Sequence, residues 1–184
     1  SDDAQFDRIS NAEIVNTTNV GDKDVDLTAI SSFSAAEITA HTAQTVGASG
    51  SSAGTDGADG VNLTTNNANS RVIINDVALV GEVGGVAIDA AGASGGDGGI
   101  GLDVGVAVDN GANTLTIEMI DAASIAGGAG GSGYSAGGGS GIAGDGGIAV
   151  AAETLDIVNI VLVENDGTAD TVTFAGGAAG VGSA

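Results

Sequence analysis

Polar and apolar residues alternate in two clear stretches of this chain. Residues 114–119 read Thr-Leu-Thr-Ile-Glu-Met, and residues 171–174 read Thr-Val-Thr-Phe. Successive side chains of a strand point to opposite faces, so this period of two predicts half-buried β-strands. Residues 34–45 are the one helix candidate, but their Thr, Ile and Val content fits a strand equally well.

Segments rich in Asn, Asp and Gly lie between pairs of predicted strands. These residue types favour the tight turns that reverse a chain within a hairpin. We therefore expect three antiparallel hairpins. They pair residues 61–65 with 71–74, 106–108 with 114–119, and 160–163 with 171–174.

Glycine recurs at every third position between the strands. This is the period of the polyproline II helix, which makes no internal hydrogen bonds and must find partners elsewhere. A glycine face lets neighbouring backbones approach, as in a polyglycine II bundle. Collagen is excluded because it needs long Gly-X-Y tracts rich in proline, and this chain has no proline. The predicted glycine packing faces are Gly54, Gly57, Gly60, Gly92, Gly95, Gly98, Gly101, Gly127, Gly130, Gly133, Gly141, Gly144 and Gly147.

A loose repeat of about 42 to 45 residues aligns the apolar segments 61–63, 106–108 and 148–150, with a weaker copy at 25–27. Repeats that cannot bury a face alone stack into an elongated body. The prediction is an all-β fold in which β-hairpins or a sheet pack with polyglycine II-like segments. Hairpin turns favour that sheet, whereas tandem repeats favour the alternative, a β-solenoid. We expect an N-terminal extension over residues 1–20 and one repeat-containing domain over residues 21–184.

The charge balance excludes some partners. Asp and Glu number 24 against three Lys and Arg, for a net charge of −21. Such a chain repels nucleic acid and anionic lipid, and it suits salty or calcium-containing surroundings. Its 42% hydrophobic residues speak against disorder, and no apolar run reaches the length of a membrane span.

Sequence patterns that resemble catalytic motifs lack their required context. Residues 133–137 and 92–96 fit the serine nucleophile elbow, but the only histidine, His41, precedes both. Residues 139–144 fit a dinucleotide fingerprint but follow further glycine instead of a strand. There is no cysteine. We therefore expect no enzyme activity.

Calcium is the one cofactor that the residues suggest. Residues 98–103 open like the nonapeptide of calcium-binding β-rolls, although Gly105 stands where a large apolar residue belongs. The candidate ligands are Asp97, Asp103 and Asp109. The alternative is that these are solvated turn residues.

The tracts Gly92–Gly101 and Gly127–Gly133 resemble those of glycine-rich bacterial surface proteins, such as autotransporter-type adhesins and mycobacterial glycine-rich repeat proteins. They are also similar to polyglycine II folds of a phage tail-tip adhesin and an insect antifreeze protein. The resemblance implies an extracellular or cell-surface location. We read the N-terminus as that of a mature chain after signal-peptide removal.

The leading functional hypothesis is a secreted structural subunit that self-assembles into a filament, sheath or matrix, with copies of itself as partner. Residues 11–19 supply a donor strand to the next subunit, through Ala12, Glu13, Ile14 and Val15. The runner-up is an adhesin for glycan or protein, with Tyr134 as the aromatic candidate. An ice-binding protein using Thr64, Thr65, Thr114 and Thr116, or a piece of a larger calcium-dependent surface protein, are further readings.

Overall fold

The computed structural model describes residues 8–14, 24–27, 35–41, 46–51, 53–65, 69–89, 91–106, 113–134, 141–152, 157–163, 167 and 171–182. Within these residues the chain is all-β and has no helix. The strands are β1 (Arg8–Ile14), β2 (Asp24–Leu27), β3 (Ala35–His41), β4 (Val61–Thr65), β5 (Asn69–Asn75), β6 (Ala78–Val80), β7 (Leu102–Val106), β8 (Thr114–Ile120), β9 (Ser124–Ala126), β10 (Val150–Ala151), β11 (Ile157–Val163) and β12 (Thr173–Ala175).

The strands form three parallel sheets. The five-stranded sheet has the order β1-β3-β5-β8-β11, the four-stranded sheet β10-β7-β4-β2, and the three-stranded sheet β12-β9-β6. From β4 onward the chain visits the four-, five- and three-stranded sheets in turn and then repeats the cycle. Each strand therefore pairs with its counterpart one cycle away. For example, Ile117 pairs with Val72 on one side and Ile160 on the other.

The predicted antiparallel hairpins are wrong. In each predicted pair the two strands belong to different sheets, as β4 and β5 do, and all pairing between the described strands is parallel. Most of the predicted turn residues, at 66–69, 109–113 and 164–167, lie outside the described residues. At the corner after β5 and at the corner after β8, Asp76 (φ 50°) and Asp121 (φ 54°) adopt the left-handed conformation that Asp tolerates.

Residues 34–45, for which helix and strand were both open, contain strand β3, so the strand alternative is confirmed. One further prediction is corrected by the strand register. The repeat aligned residue 61 with 106, whereas Val61 pairs with Leu102, so strand β7 begins earlier than expected. The match that the structure selects is Val61-Asn62-Leu63 with Leu102-Asp103-Val104, which keeps apolar side chains inward at both ends of the triplet.

The core fills the space between the three sheets. In β8, Leu115, Ile117 and Met119 are fully buried and alternate with partly exposed residues, as the period of two predicted. The four- and three-stranded sheets close the core from the other sides. The remaining residues of this cluster are Val61, Leu63, Val72, Ile74, Leu79, Leu102, Val104, Ala123 and Ile125.

Candidate functional site

Glycine-rich excursions connect β6 to β7 and β9 to β10, and similar segments precede β4 and follow β12. We call residues 46–50, 81–89, 127–134 and 176–182 the outgoing segments, and residues 53–60, 93–101 and 141–149 the returning segments. Residues 81–89 and 93–101 run antiparallel, since Gly96 donates to the carbonyl of Gly85 and Gly99 to that of Glu82 (both 2.9 Å). Gly92, with a φ of 76°, lies at the reversal.

Backbone hydrogen bonds join all seven segments, with outgoing and returning segments alternating. In the middle of a segment, one N–H in every three donates to a carbonyl on the segment before it, at 2.7–3.0 Å. One such chain of bonds runs from Gly180 through Gly144, Gly131, Gly96, Gly85 and Thr55 to Ala48.

A second set of bonds links segments of the same kind. Gly84 donates to the carbonyl of Ala129, and Gly130 to that of Ala178 (both 2.8 Å). Among returning segments, Gly57 donates to the carbonyl of Asp97 at 2.8 Å. Two of every three residues thus donate within the bundle, and the third residue faces outward.

The close approach explains why glycine occupies most of the inward positions, although Ala48, Thr55, Ala58 and Glu82 occupy others. A Cβ on any of the predicted packing glycines except Gly92 would lie only 1.9–2.6 Å from another backbone atom. The spacing of three identified these glycines but missed others that are equally crowded, which include Gly81, Gly85, Gly96, Gly99, Gly128, Gly131, Gly177 and Gly180. The signal that reveals most of them is the Gly-Gly pair repeated at a spacing of three, as at residues 95–96 and 98–99.

The third positions form two different faces. On the outgoing segments these positions carry Val, Ala and Ser, except for the exposed Asp89 at the end of its segment, and we call the surface formed by the Val, Ala and Ser residues the outgoing face. On the returning segments, whose outward surface we call the returning face, the third positions include a column of exposed aspartates, Asp56, Asp97 and Asp145. The outgoing face consists of the column Val46, Val83, Ala129, Ala178 and the column Ser49, Val86, Ser132, Val181.

The aspartates on the returning segments bond from one segment to the next. The N–H of Asp97 donates to Oδ1 of Asp56, and the N–H of Asp145 to Oδ1 of Asp97 (both 2.7 Å). Asp59 accepts in the same way from the N–H of Ile100 at 2.6 Å. These carboxylates therefore accept hydrogen bonds from outward N–H groups that have no backbone carbonyl as acceptor within the bundle.

The three calcium candidates are not brought together by the described residues. Asp97 belongs to the aspartate column, Asp103 lies in β7 opposite Asn62, and Asp109 falls outside the described residues. No group of three or more His, Cys, Asp or Glu that could hold a metal ion occurs in the described part of the chain. Calcium binding stays a prediction.

The last cycle leaves the core open at one end. Val158, Ile160 and Leu162 of β11 pair with Leu115, Ile117 and Met119, so they point inward as well. They are nevertheless 44%, 52% and 61% exposed, whereas their three partners are 0% exposed. On the three-stranded sheet, Phe174 is 38% exposed although its partner Ile125 is fully buried.

The glycine bundle is open at the same end. The carbonyls of Gly177 and Gly180 accept no backbone N–H from the described residues, whereas those of Gly128 and Gly131 each accept one. A Cβ on Gly176 would meet nothing closer than 3.8 Å, but one on the corresponding Gly127 would lie 2.1 Å from Gly147. Gly176 is thus a glycine that the described part of the chain does not require sterically.

The predicted donor-strand residues lie at the opposite edge of the same sheet. Ala12, Glu13 and Ile14 belong to β1, which pairs in parallel with β3, and Val15 falls outside the described residues. The five-stranded sheet therefore has β1 at one edge and β11 at the other.

The predicted ligand-binding residues are dispersed. Thr64 and Thr65 lie in β4, and Thr114 and Thr116 in β8, which belongs to another sheet. Tyr134 ends an outgoing segment and forms a bridge with Ala93. Among the described residues there is no helix with the length and apolarity to cross a membrane.

Comparisons with protein-family models, with curated proteins and with solved structures give no match to this chain. The features that bear on its function are the open end, the glycine bundle and the two faces.

Proposed function

We propose that this chain is a structural subunit that assembles end to end into an extracellular filament, sheath or matrix. In this proposal the three parallel sheets are a β-solenoid, and the glycine segments are a polyglycine II bundle along its side. The observation that carries it is the open end of the core, where the inward side chains of β11 remain exposed.

Burial of this end supplies a driving force for association. A fully buried aliphatic or aromatic side chain contributes roughly 1.5–3 kcal/mol, so about half of that is left to gain at each of Val158, Ile160, Leu162 and Phe174. The resulting few kcal/mol only begin to offset an association cost of roughly 4–15 kcal/mol. Backbone pairing at the strand edges and at residues 176–182 must contribute as well.

The partner that fits the open end is the β1 end of another copy. Each sheet is parallel, so a copy translated along the stack places its β1 beside β11 in the same direction. The two contact surfaces differ, which makes the contact head-to-tail. Such contacts repeat without closing and generate fibres.

The location outside the cell is supported by the resemblance to glycine-rich surface proteins. The net charge of −21 is compatible with it, because salt screens the repulsion between subunits.

Electron microscopy of purified chain tests the assembly. Ile160→Lys places a charge at the open core and is expected to abolish filaments without unfolding the chain, because Ile160 is already half exposed. Val161→Lys is the matched control, since it adds the same charge on the other face of β11. The control should assemble normally. Filaments of Ile160→Lys equal to wild type would overturn end-to-end assembly.

Deletion of residues 1–20 tests the donor strand separately. The deletion removes β1 and should reduce assembly, even when the remaining chain folds. Undiminished filaments would assign the contact to another surface of the N-terminal end.

A further inference from the structure

The outgoing face is apolar in a chain that is otherwise strongly acidic. Its valines, Val46, Val83, Val86 and Val181, are all exposed. No charged residue occupies either of its two columns, although the chain has 24 acidic residues. Exposed apolar surface of this regularity is typical of an interaction site.

The face has the size of a weak interface. The four segments lie about 4.8 Å apart and are about 15–28 Å long, so the face covers roughly 430 Å². Two such faces together bury roughly 900 Å², just below the limit of about 1,000 Å² for a stable specific contact. A single pair of subunits therefore associates weakly, and stacked subunits multiply the contact.

The order of large and small residues in each column is self-complementary. The first column reads Val46, Val83, Ala129, Ala178, so reversing it sets every valine opposite an alanine. A twofold axis that runs along the segments produces this reversal.

The same rotation fits the second column, Ser49, Val86, Ser132, Val181. Ser49 then faces Val181, and Val86 faces Ser132. Large residues opposite small ones interdigitate without voids or overlap. With the axis along the stack instead, Val83 would meet Val86, so the first orientation is preferred.

We propose that the outgoing face is a lateral docking surface for a second copy of this chain, packed face to face with the two stacks antiparallel. The distribution of carboxylates favours contact between two copies through this face. Copies that meet through the returning face would appose the column of Asp56, Asp97 and Asp145, whereas the two columns of the outgoing face carry no carboxylate. Asp89 lies beyond these columns, at the end of its segment. The contact does not require end-to-end assembly, since it uses none of the exposed core side chains Val158, Ile160, Leu162 and Phe174.

Disulfide trapping tests this geometry, because the chain has no cysteine of its own. Val83→Cys and Ala129→Cys are introduced in separate copies that also carry Ile160→Lys, so that end-to-end contacts are blocked. Antiparallel packing predicts cross-links when the two proteins are mixed, and at least tenfold fewer for either protein alone. Equal cross-linking in all three samples, or none at high protein concentration in 1 M NaCl, would overturn the proposal.

Sedimentation velocity in the same Ile160→Lys background gives a second measurement. Val83→Lys should weaken dimerisation at least tenfold. Ile148→Lys adds the same charge at a similarly exposed site on the returning face and should leave dimerisation unchanged. Equal effects of the two variants would contradict lateral docking. Thermal hysteresis that depends on Val83, with no dimer, would instead assign the face to ice.

Discussion

The N–H of Gly131 donates to the carbonyl oxygen of Gly96 at 2.7 Å, although the two residues lie in different cycles of the fold. A Cβ on Gly131 would lie 1.9 Å from the carbonyl oxygen of Gly85. The absence of a side chain and the presence of a hydrogen bond are therefore linked. The bundle holds together because backbone groups meet where a side chain has no room.

Gly131→Ala is expected to destabilise the chain by about 3 kcal/mol or more. The crowding atom is a backbone carbonyl that hydrogen bonds hold in place, so relief requires the segments to separate. Chemical denaturation of the Ile160→Lys background measures the change without interference from filaments.

Gly105→Ala is the control for this loss. A Cβ at Gly105 would meet nothing within 4 Å, and strand β7 gains from a residue other than glycine. We expect no change, or stabilisation by up to about 1 kcal/mol. Equal destabilisation by both variants would show that steric crowding in the bundle is not the reason for glycine at residue 131.

Asp97→Ala should destabilise the chain by about 0.5–1.5 kcal/mol, the usual contribution of a hydrogen bond. The variant removes the acceptor for the N–H of Asp145. Asp97→Asn keeps an acceptor oxygen and removes one negative charge, so its stability should equal or exceed that of wild type. If the alanine and asparagine variants have the same midpoint of denaturation, the hydrogen bond contributes nothing.

Ile117→Ala and Ile160→Ala compare the same truncation at two paired positions. Ile117 is fully buried, so its loss should cost about 2–5 kcal/mol in the unassembled subunit. Ile160 is half exposed, and its truncation should cost less than about 1.5 kcal/mol there. In filaments the difference should shrink, because assembly buries Ile160. Similar losses in the unassembled subunit would contradict an open core.

Raising NaCl from about 0.1 to 1 M should increase the melting temperature by on the order of 5 °C, because it shortens the screening length from about 10 to 3 Å. The net charge of −21 is the reason for this sensitivity. Calcium and magnesium chloride at equal ionic strength test the calcium prediction. A rise specific to calcium would support it, whereas equal melting temperatures would count against a calcium site.

Much of the local structure could be predicted from the sequence. Alternation at residues 114–119 identified β8, and the repeat aligned residues 61–63 with 148–150, which overlap strands β4 and β10 of one sheet. The pairing of the strands into sheets could not be predicted from the sequence in the same way. A turn rich in Asn and Asp looks the same whether it reverses a chain or, as at Asp76, turns a corner between sheets.

The aspartates were open to misreading for a related reason. Asp56 and Asp97 lie on different segments, so the sequence of one segment does not indicate that they interact. Their hydrogen bond joins residues 41 positions apart, so it exists only once the segments are stacked. The outgoing face was missed similarly, because its columns run across segments and not along the chain.

Amide hydrogen exchange, resolved residue by residue, tests the ordered glycine bundle most directly. The amides of Gly96, Gly99, Gly128 and Gly131 should exchange as slowly as that of Ile117 in the core. Those of Val83 and Ala129, which donate to no described carbonyl, should exchange faster. Exchange of all four glycines at the rate of an unfolded chain would show that these segments are loose linkers and contradict the account.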